Sequence, residues 1–282
     1  MKLGVALAAV LTGVLAVSAC GAEDTGPKEP AKVAISSENL VQSGKLLMCA
    51  EIASPPQEFY DEQHKPIGSD VDTGDAIAAQ LGLEPVWVNS AFDTIIASVK
   101  SGKCDIVLSG QFITPERQQQ VTMIPYITAG QGLLVKKGNS ENISIDLSTL
   151  CGKKVVVLLG GIEADTLNTA SKKCESDGSL KIDPVVAQSQ SDMAQQLLTG
   201  YADAIFHDTP INAYWANQYS DRLDMVPGVL DPFKVGISVP KNKPELAAAI
   251  AAALKNIQAD GTYDKIRAKW GLENTEVPAL TY

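Results

Sequence analysis

The sequence predicts an α/β protein made of two similar lobes, and three observations carry that expectation. Short apolar runs alternate with segments of helical periodicity, the order that gives mostly parallel sheets covered by helices. One set of devices occurs twice: Gly102, Asp105, an apolar run and Thr114-Pro115 are echoed by Gly200, Asp203, a second apolar run and Thr209-Pro210. The chain has 282 residues, 45% hydrophobic and 20% charged, enough for two medium-sized domains with cores of their own.

Taken in order, residues 46–50 read as a buried strand, followed by a polar, proline-bearing loop at 54–65. Asp72 or Thr73 can cap a helix that carries Ile77, Ala78 and Leu81 and stops at Gly82. Residues 85–88 form a second strand. Phe92, Ile95, Ile96 and Val99 fall at i, i+3, i+4 and i+7, one apolar helical stripe that Gly102 ends. Strands follow at 106–108 and 132–135, with a helix opening at Thr114 between them. The pattern then repeats: a strand at 154–159, a turn at Gly160-Gly161 and a helix through Lys173. Residues 192–198 form a helix capped by Ser191 and ended by Gly200. Residues 203–206 are a strand, Thr209-Pro210 opens a helix, and 235–239 is a strand again. Leu246, Ile250, Ala253, Leu254 and Ile257 share one face of a long helix that ends before Gly261.

Residues 101–120 concentrate the chemistry. A strand empties into Ser109 and Gly110, and the chain re-enters a helix with Thr114 as N-cap and Pro115 in the first turn. Such strand-to-helix turns are where open α/β sheets bind ligands. Arg117, one turn into the helix, offers a planar five-donor fork beside free backbone N–H groups, a good fit for a carboxylate. On residue type alone, a surface arginine paired with Glu116 or Asp105 is the plainer reading.

The amino terminus reads as a targeting segment. Lys2 precedes an apolar run at 4–17, short for a membrane span, and Val17-Ser18-Ala19-Cys20 resembles a bacterial lipobox. The expectation is cleavage after residue 19 and lipidation of Cys20. Residues 20–44, polar and without periodicity, would be a tether. This places the protein at the cell surface or in the periplasm, anchored to the membrane. A net charge of −10 and a pI near 4.7 argue against nucleic acid and against an electrostatic grip on anionic lipid. Four further cysteines remain in an oxidising compartment, and four allow three pairings. Cys49–Cys104 and Cys151–Cys174 are favoured, since the second pair flanks one strand-helix unit and each bond stays within a lobe. No CxxC, HExxH, GxSxG or P-loop occurs, and the reading assigns no metal, no cofactor and no catalytic residue.

From about residue 45 to 271 the chain resembles the family 3 extracellular solute-binding proteins, the polar-amino-acid receptors of ABC importers. The run Ser109-Gly110-Gln111-Phe112-Ile113-Thr114-Pro115-Glu116-Arg117 carries that resemblance, as does the ending Lys269-Trp270-Gly271. His207-Asp208-Thr209-Pro210 is similar to the glutamine-binding branch. The resemblance implies a periplasmic-binding-protein-like fold, with two lobes joined by a two-stranded hinge. Residues 45–133 and 236–282 would form lobe 1, and 134–235 lobe 2. It also implies that Arg117, with Ser109 and Gly110, clamps the ligand's α-carboxylate, and that Asp208 holds its ammonium with His207 nearby. Phe92 would cover the aliphatic part, and Glu51 stands where an aspartate is usual. The plainer reading of Asp208 is an N-cap on the next helix.

Departures from the family pattern bear on the ligand. Phe112 replaces a serine or threonine, and Gly160-Gly161-Ile162 replaces Gly-Thr-Thr. Ser54 and Gln57 stand where aromatics are common. The expected function is capture of a small polar amino acid or derivative by a monomeric binding protein that delivers it to an ABC permease. A ligand-sensing partner of a membrane receptor, or a dehydratase-like enzyme on the same fold, are the alternatives.

Overall fold

The computed structural model describes residues 33–281, apart from the side chain of Asp231. The signal segment and Cys20 lie outside the described residues. Lys45–Ala50 (β1) pairs in parallel with Glu84–Asn89 (β4) and Ile106–Val107 (β5). Between β1 and β4 the polar loop forms a small hairpin, Phe59–Tyr60 (β2) with Pro66–Ile67 (β3). Ser69–Leu81 (α1) follows. This helix starts three residues before the expected cap, because Gly68 (φ 140°) turns the chain where a Cβ would overlap the Gln57 carbonyl. The apolar stripe opens as a 3-10 turn, Phe92–Thr94, and continues as Ile95–Lys100 (α2). Thr114 caps Pro115–Gln120 (α3), its hydroxyl accepting from Arg117 N–H at 3.3 Å.

Val121–Lys136 (β6) is sixteen residues long, whereas sequence reasoning finds only 132–135. Nearly all its residues are buried and it contains a proline, Pro125, so the two-residue alternation of a half-exposed strand is missing. The second half contains Lys154–Leu158 (β7), Glu163–Ser176 (α4), Asp183–Ala187 (β8) and Gln190–Thr199 (α5). Ala204–Asp208 (β9), Thr209–Gln218 (α6) and Leu223–Met225 (β10) complete it. The cap of α5 is Ser189 rather than Ser191, its Oγ accepting from Asp192 N–H at 3.2 Å. Leu230–Pro240 (β11), Pro244–Ala259 (α7) and Thr262–Lys269 (α8) close the chain.

The strands run in the order β4-β1-β5-β11-β6-β9-β7-β8, with β10 beside β6. Each flank is parallel, β4-β1-β5 on one side and β9-β7-β8 on the other. The antiparallel strands β6 and β11 join them. The doubled motif of the sequence thus becomes β5 with α3 and β9 with α6, in corresponding places next to the two long strands. β6 gives Ile124, Tyr126 and Ile127 to the first core, then Leu133, Leu134 and Val135 to the clusters of the second. The change falls across Gly130–Gly132. β11 makes the same change between Leu230 and Phe233.

Cys49 is bonded to Cys104 and Cys151 to Cys174, one bond beside each core. Residues 33–44, part of the expected tether, lie against the first core. Val33 N–H donates to Gln80 O at 3.0 Å, Val33 and Ile35 pack on the apolar cluster, and Asn39 Nδ2 donates to Glu245 at 2.7 Å. No helix among the described residues is long and apolar enough to cross a membrane.

Candidate functional site

Three strand-to-helix turns, β5–α3, β7–α4 and β9–α6, meet beyond the carboxyl ends of their strands, the position that parallel sheets offer a ligand. Gln57, Phe92, Ser109, Gly110, Phe112, Arg117, Gly161, Ile162, His207 and Asp208 all line one cavity there. Glu51 and Gly160, expected with them, do not line it. Leu158, Glu163, Gln190 and Ile211 do, and sequence reasoning gave no signal for them. The cavity encloses about 300 Å³ between atoms, but only about 10 Å³ is open to the centre of a water molecule. Its own side chains nearly fill it.

Arg117 is 9% exposed and reaches across this space. Nη1 donates to Phe112 O at 2.9 Å and Nη2 to Gly160 O at 3.0 Å, and the guanidinium lies 5.5 Å from the centre of the Phe92 ring. Burial lowers its pKa, with Glu163 and Asp208 opposing. Phe92 packs on a cluster of the second core and Ile162 on the first, so each side inserts one apolar residue into the other. Gly160 (φ 80°) sits against Asp93, and a Cβ there would fall 2.7 Å from Asp93 Cα.

The wall behind Ser109 and Gly110 is a network of carboxyl groups. Ser109 Oγ donates to Glu58 at 2.7 Å and accepts from Glu51 N–H at 3.0 Å. Gly110 N–H donates to Asp70 at 3.1 Å, and Tyr126 donates to the same oxygen at 2.7 Å. The Gly110 N–H, expected to face a ligand carboxylate, therefore points away from the cavity. Burial raises the Glu58 carboxyl well above its ordinary range, with Asp70 beside it, and pushes Asp70 up to about 6. Glu51 sits behind the cavity, held up at about 7 by burial. Phe112 packs against Phe233 with tilted rings, 5.2 Å between ring centres, and joins the first core.

Opposite Arg117 lie Glu163, His207 and Asp208, all buried. Asp208 precedes α6, but its side chain makes no capping bond, so the plainer reading of it is not seen. His207 Nδ1 is 3.7 Å from Glu163 and 3.9 Å from Asp208. Gln131 Nε2 donates to Glu163 at 3.2 Å. Burial disfavours the imidazolium, but Asp208, Glu163 and Glu51 outweigh it and hold His207 at about 9. Burial pushes Asp208 up to about 8 against the pull of His207. Burial also penalises the Glu163 carboxylate, yet His207 and Gln131 keep its pKa below the ordinary value. The site sets the Arg117 fork on one side of a small space and the buried Glu163, His207 and Asp208 on the other.

Two lobes on long connecting strands, with charged groups of both signs facing a shared cleft, define a class of protein that encloses small ligands between its halves. The chain belongs to the bacterial extracellular solute-binding proteins, family 3, whose pattern it matches over residues 46–273. It is 30% identical over 241 residues to the arginine-binding protein ArgT of Corynebacterium glutamicum, spanning 85% of this chain and 78% of that relative. Among solved structures, it is similar to an ancestral arginine-binding protein bound to arginine. That likeness has a TM-score of 0.75 at 35% identity and covers 80% of this chain and 98% of the other. The ancestral amino acid-binding protein AncCDT-1, a precursor of cyclohexadienyl dehydratase, is similar with a TM-score of 0.73 at 32% identity, covering 80% and 95%.

Proposed function

We propose that this protein captures a small polar amino acid or amino-acid derivative in the cleft and delivers it to an ABC permease. It works as a monomer tethered through lipidated Cys20, outside the cytoplasmic membrane. The observation that carries this reading is the pairing of Arg117 with Asp208 on one cavity. A fork suited to a carboxylate faces a buried acid suited to an ammonium. β6 and β11 would act as the hinge, and entry would separate Phe92 from the second core and Ile162 from the first. The names of the relatives support an amino-acid ligand and put arginine first in any panel. The lost hydroxyls at Phe112, Gly161 and Ile162 leave the carboxylate to Arg117 and to backbone donors at the start of α4.

Binding takes precedence over catalysis because Arg117 and Asp208 each have a direct binding role, and the relatives named above are binding proteins. The test is a thermal-shift and calorimetric screen of the purified protein against free amino acids and their α-amides. Binding of an acid but not of its amide supports the Arg117 clamp; equal binding of both opposes it.

A further inference from the structure

We propose that Glu163, His207 and Asp208 form a seat for a divalent transition-metal ion of the zinc, nickel and cobalt class. In this arrangement the amino-acid ligand completes the ion's coordination. Each residue offers one donor atom, and the three atoms lie within 4.8 Å of one another. The spacing of two of the three pairs admits a metal ion in the place of the ligand's ammonium group. Donors bound at about 2.1 Å to a tetrahedral ion stand roughly 3.4 Å apart. Acceptors around an ammonium at about 2.8 Å stand roughly 4.6 Å apart. His207 Nδ1 lies 3.7 Å from Glu163 Oε1 and 3.9 Å from Asp208 Oδ1, nearer the metal spacing.

A second observation is independent of the spacing. Neither ring nitrogen of His207 nor Asp208 Oδ1 has a hydrogen-bond partner, although His207 is 5% and Asp208 3% exposed. Buried polar atoms are ordinarily satisfied, and two of these orphans, His207 Nδ1 and Asp208 Oδ1, lie 3.9 Å apart and mark a place built for an occupant. The surrounding bonds also suit a metal seat. Gln131 holds Glu163 at 3.2 Å, and Asn212 donates to the backbone carbonyls of His207 and Gly132 at 3.1 Å each. A partner such as Gln131 orients a ligating carboxylate. One imidazole and two carboxylates suit borderline cations better than a hard ion such as magnesium.

Three protein donors leave one position open on a tetrahedral ion. An amino acid can fill it with its amine nitrogen, the ammonium proton passing to solvent, and turn its carboxylate toward Arg117. This last step rests on the amino-acid reading above; the seat itself does not.

The test uses purified protein stripped with EDTA and titrated with ZnCl₂, NiCl₂ or CoCl₂, with MgCl₂ as the control. Calorimetry should show one site with a dissociation constant in the micromolar range or below, and MgCl₂ should give none. His207→Ala and Glu163→Gln should each weaken the metal at least 100-fold, and Co²⁺ should lose its visible absorption in both. Melting curves without metal report whether each variant is folded, and the milder Glu163→Gln guards against a collapsed cavity. No metal uptake by the wild type, or uptake unchanged in both variants as at a surface site, overturns the seat. Amino acids that bind the EDTA-stripped protein as tightly as the metal-loaded one overturn the shared coordination and leave the amino-acid reading intact. Absence of amino-acid binding both with and without metal counts against that reading instead.

Discussion

Replacing Arg117 by alanine tests the carboxylate clamp. The guanidinium makes two hydrogen bonds to carbonyls from opposite sides of the cleft, at 2.9 and 3.0 Å, and covers Phe92. A ligand carboxylate would take over this fork, and charge-assisted bonds contribute about 1.5–3 kcal/mol each. With part of that replaced by water in the variant, the expected loss is about 3–4 kcal/mol, or roughly 10²–10³-fold in dissociation constant. Arg117→Lys keeps the charge but not the planar fork, so it should fall between wild type and alanine. The fold should survive both, because Thr114 still caps α3 and neither core includes the side chain. Isothermal calorimetry with the amino acid found by screening gives the affinities, and melting curves give the stability control. If folded Arg117→Ala binds within threefold of wild type, the clamp is wrong and the carboxylate lies elsewhere.

Three further outcomes follow. Gly160→Ala should weaken ligand at least tenfold and enlarge the radius of gyration in scattering, because its Cβ would lie 2.7 Å from Asp93 Cα at φ 80°; unchanged values would show that the halves do not meet there. Replacing Cys49 and Cys104 together by alanine should cost about 4 kcal/mol by loop entropy across 55 residues, read as a lower midpoint in denaturant; an unchanged midpoint contradicts it. Stability should also fall as pH rises from 5 to 8. Glu51 is held by burial at about 7 and Asp70 at about 6, so the folded chain keeps protons that the unfolded chain has released above about pH 4.5. Stability therefore drops as pH climbs through those values, by on the order of 3 kcal/mol from Glu51 alone. A melting temperature that rises from pH 5 to 8 refutes this assignment of buried, protonated acids.

Much of this arrangement was legible in local chemistry. Thr114-Pro115 marks a helix start wherever it occurs, and the Gly-Asp-strand-Thr-Pro echo places β5 and β9 in matching positions. Arg117 and Asp208 follow from those turns and from the resemblance that singles them out. Glu163 was not legible. A glutamate in the first turn of a helix reads as a favourable partner of the helix dipole, and its hydrogen-bond partner is Gln131, in the stretch of β6 whose pattern shows no alternation. The same blindness hid β8 and the length of β11, where long-range pairing rather than local sequence sets the strand. The direction of the Gly110 N–H was equally hidden, because it is fixed by Asp70 forty residues earlier in the chain.

The most direct measurement is calorimetry of purified, refolded protein, freed of carried-over ligand, against the standard amino acids with ornithine and cystine. At least one should bind with one-to-one stoichiometry and raise the melting temperature on the order of 10 °C at a thousandfold its dissociation constant. Both effects should vanish in Arg117→Ala. If no amino acid binds, or binding persists undiminished in that variant, the cleft does not serve the ligand proposed for it.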